Sequence, residues 1–238
     1  MRKTTVQSWV QIFLISGLIV LLSGTVLQAQ EKEELSGILE KLKNQFGASR
    51  TFKAEYVRDL LPKVSSVLPS ASMKAEGTLL FASPNKLRLE QQKPRPEQLI
   101  SNGEKVWWYI PAEKTVQIFS LKDHGQQVKP ITDFFSGLGG LEKHFNVRLD
   151  KTTPEEAPFY SLTLAPKTPQ PDLNQITLRI SKETLLPLEF TFFNLLGDGT
   201  RFRFSQVQTG AKIPATAFQF TPPKGTQVIN PPAGLKVN

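Results

Sequence analysis

The side chains that most often do covalent chemistry are scarce in this chain. It has two histidines, His124 and His144, and no cysteine. Neither histidine stands at a metal-ligand spacing from other candidate ligands, so no zinc site is expected. Without cysteine a thiol nucleophile is excluded, and no Gly-x-Ser-x-Gly elbow, glycine-rich phosphate loop or dinucleotide fingerprint occurs. The acid pairs Glu33-Glu34 and Glu155-Glu156 could in principle serve a glycosidase. One lies in a polar helical stretch and the other in a Pro-containing loop, where surface charge is the simpler account. The expectation is a protein that is not an enzyme and needs neither a cofactor nor a metal.

What the chain has instead is phenylalanine, 16 residues against three Trp and three Tyr. Phe190 and Phe192, Phe202 and Phe204, and Phe218 and Phe220 recur two residues apart, which in a strand puts both rings of a pair on one face. A ring-lined face can bind something apolar without directional bonds. An ordinary core between sheet and helices needs the same pattern, and composition does not separate the two.

The elements that must position these rings begin after a leader. Arg2 and Lys3 precede an apolar run from Val10 to Leu22, shorter than the about 20 apolar residues of a membrane span and suited to a secretory signal. Cleavage after Ala29 would leave residues 30–238 as a single domain, whereas retention would leave residues 1–29 as an anchor. Both readings export the domain, and with no cysteine it cannot be anchored by a lipid. Loss of residues 1–29 removes two basic and no acidic residues, taking the formal charge from +8 to +6. No block of like charges concentrates it, so it reads as solubility, and nucleic acid is not an expected partner.

Leu35, Ile38, Leu39, Leu42 and Phe46 recur at helical spacing, with Gly47 placed to end the helix. The period then becomes two: Phe52, Ala54 and Tyr56 alternate with Lys53 and Glu55, and Ala75, Gly77, Leu79 and Phe81 share a parity. Leu87 and Leu89 flank Arg88, and Leu99 to Ser101 runs into the hairpin signal Asn102-Gly103, from which Val106 to Ile110 returns. That returning strand is apolar on both parities, so both its faces should be covered or lie near a ligand. Pro111 to Lys114 turns into a strand over Thr115–Leu121. Pro130 to Phe145 reads as one or two short helices with Ile131, Phe134, Phe135, Leu138, Leu141 and Phe145 nearly on one face. Gly137, Gly139 and Gly140 weaken it by about 1 kcal/mol each, so packing must hold it. Strands follow at Phe145–Asp150, Phe159–Ala165, Gln175–Ser181, Leu188–Asn194, Thr200–Gln208 and, briefly, around Phe218–Phe220, as in an antiparallel meander.

Three stretches in this order resemble the LolA family of periplasmic lipoprotein carriers. Gly77-Thr78-Leu79-Leu80-Phe81 through Pro84-Asn85-Lys86-Leu87-Arg88-Leu89 is similar to the family's glycine, apolar strand, proline and basic-apolar run. Gln98-Leu99-Ile100-Ser101-Asn102-Gly103 with Val106-Trp107-Trp108-Tyr109-Ile110-Pro111 resembles its hairpin with a Trp-x-Tyr-x-Pro strand. Ala217-Phe218-Gln219-Phe220-Thr221-Pro222-Pro223-Lys224-Gly225 resembles its Phe-x-Phe-x-Pro-Pro-x-Gly ending. The likeness spans nearly all of residues 31–230.

The resemblance implies a mostly β fold, an open, incomplete antiparallel β-barrel whose concave apolar face is covered by a lid of helices. It implies a soluble periplasmic chaperone that binds the acyl chains of lipoproteins in a hydrophobic cavity and carries them from inner to outer membrane. Acylated lipoproteins, an inner-membrane ABC-type lipoprotein release complex and an outer-membrane acceptor are the expected partners of a monomer. Hiding such cargo is worth the effort, since each buried CH₂ contributes about 0.8 kcal/mol and a 16-carbon chain roughly 12. Under this reading the acyl-chain contacts are Leu35, Leu39, Leu42, Phe52, Tyr56, Leu79, Phe81, Leu87, Leu89, Trp107, Tyr109, Phe134, Phe135, Leu138, Phe190, Phe192, Phe202 and Phe204. The glycine-interrupted segment 131–145 suits the lid. Some family carriers have a basic residue just before the proline that corresponds to Pro84, where Ser83 stands here, so the closing contact is expected to differ. Arg88 is the candidate lid latch or else a solvent-facing strand residue. Two other classes stay open: a carrier or sensor of another lipid or of a regulatory partner built on the same fold, and an exported enzyme whose site no motif reveals.

Overall fold

The computed structural model describes residues 32–47, 50–63, 74–124, 129–170 and 173–229; the expected leader lies outside them. The described residues fall into two units that divide between Glu40 and Lys41. Helix α1 covers residues 32–46, with Ile38, Leu39, Leu42 and Phe46 buried, Leu35 half-buried and Glu33, Glu34, Glu40, Lys41 and Lys43 exposed. This is the one-sided pattern its spacing predicts. Its last turn closes where Gly47 N–H donates to the Lys43 carbonyl at 2.8 Å. Residues 41–46 of α1, the sheet and the remaining helices belong to the second unit.

Strands β1 (Thr51–Leu61), β2 (Lys74–Ala82), β3 (Lys86–Lys93), β4 (Glu97–Asn102), β5 (Lys105–Ile110) and β6 (Thr115–Ser120) form one antiparallel meander. A helical interlude follows: α2 (Leu121–His124), α3 (Lys129–Gly137), a 3-10 turn at Leu138–Gly140 and α4 (Leu141–His144). A second meander then runs through β7 (Phe145–Leu149), β8 (Phe159–Pro166), β9 (Gln175–Ser181), β10 (Pro187–Phe193) and β11 (Gly199–Thr209). β11 returns antiparallel to β1 and so joins the two meanders into one sheet. A last strand, β12 (Gln227–Ile229), adds parallel to β6. The order is β12-β6-β5-β4-β3-β2-β1-β11-β10-β9-β8-β7, twelve strands with β12 and β7 at its two edges, so the sheet is unclosed.

The hairpin expected at Asn102-Gly103 joins β4 to β5. Gly103 takes φ +100°, a region glycine enters without a Cβ penalty, and the Asn102 side-chain oxygen accepts from the Glu104 and Lys105 N–H groups at 2.9 and 2.8 Å. Where a strand was expected around Phe218–Phe220, residues Ala215–Phe218 make a 3-10 turn instead, and the last strand lies further on, at β12. Phe218 is buried and the Phe220 ring sits 5.2 Å from that of Tyr109. This segment docks by its rings rather than through a strand ladder, and Pro214, Pro222 and Pro223 have no N–H to give one.

Along β1, β2, β9 and β11 residues alternate, buried apolar on one face and polar on the other. The polar face carries an ion ladder across strands. Asp59 meets Arg201 at 3.3 Å and Arg203 at 2.9 Å, and Glu189 meets Arg179 at 3.7 Å. Pairs this exposed add little stability, but they keep that face wet. The buried face curls inward. Laid flat, β2 and β10 would stand three strand spacings apart, roughly 14 Å. Yet the single ring of Phe135 lies 5.4 Å from Phe81 on β2 and 6.0 Å from Phe190 on β10, so the sheet wraps around it.

Candidate functional site

Register assigns each side chain to a face, because residues directly opposite across an antiparallel ladder point the same way. One row on the inner face runs Phe52, Phe81, Leu87, Ser101, Val106, Phe119, and the next Ala54, Leu79, Leu89, Leu99, Trp108. In the other direction Tyr56 faces Phe204 and Arg58 faces Phe202, which faces Phe190, which faces Leu178, which faces Leu162. Ten of the expected contacts therefore share this face: Phe52, Tyr56, Leu79, Phe81, Leu87, Leu89, Phe190, Phe192, Phe202 and Phe204. Its centre is a stack of rings, with Phe190 parallel to Phe202 at 5.1 Å and to Phe204 at 5.5 Å, and Tyr56 at 5.5 Å from Phe202.

Helix α3 supplies the cover. Phe135 lies 4.4 Å from Phe52 and 5.9 Å from Phe204, and Phe134 stacks on Phe190 at 4.6 Å. Both rings are buried, as are Ile131, Leu138 and Leu141 in the same stretch, while Ser136, Glu142, Lys143 and His144 are exposed. Gly139 is small for a reason of packing: a Cβ there would stand 2.7 Å from the Gly47 Cα, so backbone lies against backbone. The Ser136 hydroxyl donates to the Pro84 carbonyl, tying α3 to the β2–β3 turn. Beside that tie a cleft of about 380 Å³ opens between the turn, α3, α4 and the β8–β9 loop, with Asp133, Lys143, His144 and Lys167 among the residues that line it.

Three expected site residues lie elsewhere. Trp107 and Tyr109 fall on the outer face, where Trp107 packs with Ile100 and Val116, and Tyr109 with Phe220. Their neighbour Trp108 holds the inner position, and its indole N–H donates to Glu97 at 3.0 Å. The residue pattern of this strand, apolar on both parities, reflects two covered faces: inner sheet face on one side, docked C-terminal segment on the other. Arg88 is also on the outer face, opposite Leu80 and Ile100. Its guanidinium donates to Glu90 at 2.7 Å, to the Ala217 carbonyl at 3.1 Å and to Gln98 at 3.4 Å. It clamps the C-terminal segment rather than the lid. Leu35, Leu39 and Leu42 belong to α1.

The inner face is not wholly apolar. Arg58 points inward between Ala75 and Phe202, its Nη2 donates to Gln91 at 3.3 Å, and its buried Nε–H has no partner. Gln91 and Glu97 face each other on the same side. Burial pushes the Tyr56 hydroxyl up to about 12, with the Arg58 charge opposing and the Glu97 charge adding to that shift. Sequence reasoning passed over Arg58, Leu99, Trp108 and Leu178. Parity would have given Arg58, since it continues the series Phe52, Ala54, Tyr56. No three His, Asp or Glu groups cluster to hold a metal among the described residues, and no helix there is long and apolar enough to cross a membrane.

Comparison with known proteins places this geometry in a family. The chain is 28% identical over 195 residues to an outer-membrane lipoprotein carrier protein of Dechloromonas aromatica, covering 82% of this chain and 88% of the relative. A protein of the same name from Methylibium petroleiphilum is 26% identical over 191 residues, covering 80% and 88%. Among solved structures, a LolA superfamily protein from Nitrosomonas europaea aligns with a TM-score of 0.42 at 12% identity, over 78% of this chain and 97% of that one. The model of the family described as outer membrane lipoprotein carrier protein LolA matches residues 48–221, from the end of α1 to the docked C-terminal segment. The chain belongs to the LolA family.

Proposed function

We propose that this protein is a periplasmic carrier that shields the acyl chains of lipoproteins on the inner face of its sheet and moves them from the inner to the outer membrane. The observation that carries the reading is the seating of Phe134 and Phe135 on that face. In the free protein the lid's own rings fill the space that acyl chains would take, so an apolar surface too large to leave wet is covered by groups that can be exchanged for cargo. A hydrocarbon chain that displaces two rings restores the buried area, and the directional bonds that hold α3, the Ser136 tie to Pro84 among them, are few enough to be exchanged. The relatives' shared name, outer-membrane lipoprotein carrier protein, supports the same cargo. Residues 1–29 act as the export signal and 30–238 as the carrier domain. An inner-membrane ABC-type release complex would load a monomer of it, and an outer-membrane acceptor would unload it. The expectation of a non-catalytic protein belongs to the same reading.

Native mass spectrometry of the protein recovered from the periplasm tests this. Acylated-peptide adducts are expected. Adducts of free lipid alone would shift the cargo to another amphiphile, and an adduct-free protein that turns over a substrate would overturn the carrier reading.

A further inference from the structure

An apolar carrier has no need of a cation on its binding face, yet β1 places one there. Arg58 follows Phe52, Ala54 and Tyr56 on the same side of the strand, opposite Ala75 on β2 and Phe202 on β11. One arm of its guanidinium reaches Gln91 at 3.3 Å, while the Nε–H is shut away from solvent with nothing to accept it. A buried donor without an acceptor costs free energy, and the cost disappears when a ligand brings an oxygen to it. Hydrocarbon brings none, so the oxygen must come from the polar end of the cargo.

Resting on the carrier reading above, we propose that Arg58, steadied by Gln91, is the contact for the ester carbonyl that joins each acyl chain to its glyceryl head. Position agrees. Phe52, under the lid ring of Phe135, and Arg58 are six residues apart, roughly 20 Å along a strand, comparable to an extended long acyl chain. A chain laid along β1 with its tail beneath the lid brings its carbonyl end to Arg58. Charge agrees as well. Glu97 lies on the same face, across from Gln91 and held by Trp108 at 3.0 Å. A phosphate would meet that carboxylate and would want several donors, whereas a neutral carbonyl can be met by the buried, unpartnered Nε–H.

The test uses the full chain and two synthetic peptides whose N-terminal cysteine bears two 16-carbon chains, ester-linked in one and ether-linked in the other. The natural protein is expected to bind the ester peptide about tenfold or more tightly than the ether peptide, the scale of one hydrogen bond to a charged donor. Arg58→Met should bring that ratio close to one. Arg58→Lys, which keeps the charge and loses the Nε–H, should do the same, so the readout survives if one variant fails to fold. Equal binding of both peptides by the natural protein overturns this inference and leaves the carrier reading standing. A preference that persists in both variants overturns the assignment to Arg58. Binding of neither peptide overturns the carrier reading and this inference with it.

Discussion

Leu89 shows what the inner face requires of a single residue. It is buried on β3, level with Leu79 and Leu99, and its row across the sheet, Ala54, Leu79, Leu99 and Trp108, offers a carboxylate no cation to pair with. Leu89→Glu is expected to reduce binding of a fluorescent long-chain acyl probe at least tenfold, because an unpaired charge in an apolar site costs several kcal/mol. Unchanged binding by a variant with native circular dichroism would place Leu89 outside the site. Tyr56 responds to pH in the opposite sense from a surface acid. Its folded pKa of about 12 exceeds the ordinary 10.0 because burial disfavours the phenolate. Its contribution to stability is therefore complete below pH 10 and is lost as pH rises from 10 to about 12, by a total on the order of 2–3 kcal/mol. Tyr56→Phe should flatten the fall of melting temperature across that window, and an equal fall in both proteins would remove Tyr56 from the account.

At the scale of elements, α3 and the sheet face make one unit, and the lid's hold is concentrated in two rings. Phe135 touches rings from β1, β2, β10 and β11. Phe135→Ala should weaken the docking of α3 by about 3–5 kcal/mol at most. Hydrogen exchange would report this as faster exchange confined to 129–144 with the sheet amides unchanged; sheet-wide acceleration would mean that the ring is part of the global core and not of a separable lid. The lid itself was legible in the sequence, as a helical stripe broken by glycines, and so were α1, the Asn102-Gly103 hairpin and most strands of the second meander. The faces of β5 were not. The hairpin ties Trp108 to the side of Leu99, but the link from Leu99 back to Leu89 runs through Pro94-Arg95-Pro96, a turn whose register the residues do not reveal. Trp107 and Tyr109 were therefore placed inside by resemblance when they stand outside. Arg88 was misread for a related reason. Its partner, the Ala217 carbonyl, is 129 residues away in sequence, and a backbone acceptor leaves no mark on residue types.

For the molecule as a whole, the decisive feature is that two meanders meet at β1 and β11, which puts Tyr56, Phe202, Phe204 and Phe190 side by side at the middle of an unclosed sheet. A closed barrel of small size would fill itself with side chains. An open one keeps its ring-lined face reachable from one side, where a short helix can sit on it or leave it. The sequence shows that such rings share a face; only the register shows that three neighbouring strands contribute them to the same place. The central claim is that acyl chains lie on this face once α3 has moved. A diacylated peptide carrying a photoreactive diazirine at the end of one chain, bound to the protein, irradiated and mapped by fragment-ion mass spectrometry, tests it most directly. Adducts are predicted on Phe52, Leu79, Phe81, Phe190, Phe202 and Phe204 or on Phe134 and Phe135. Adducts confined to the outer face, at Trp107, Tyr109 or Phe220, would contradict the account.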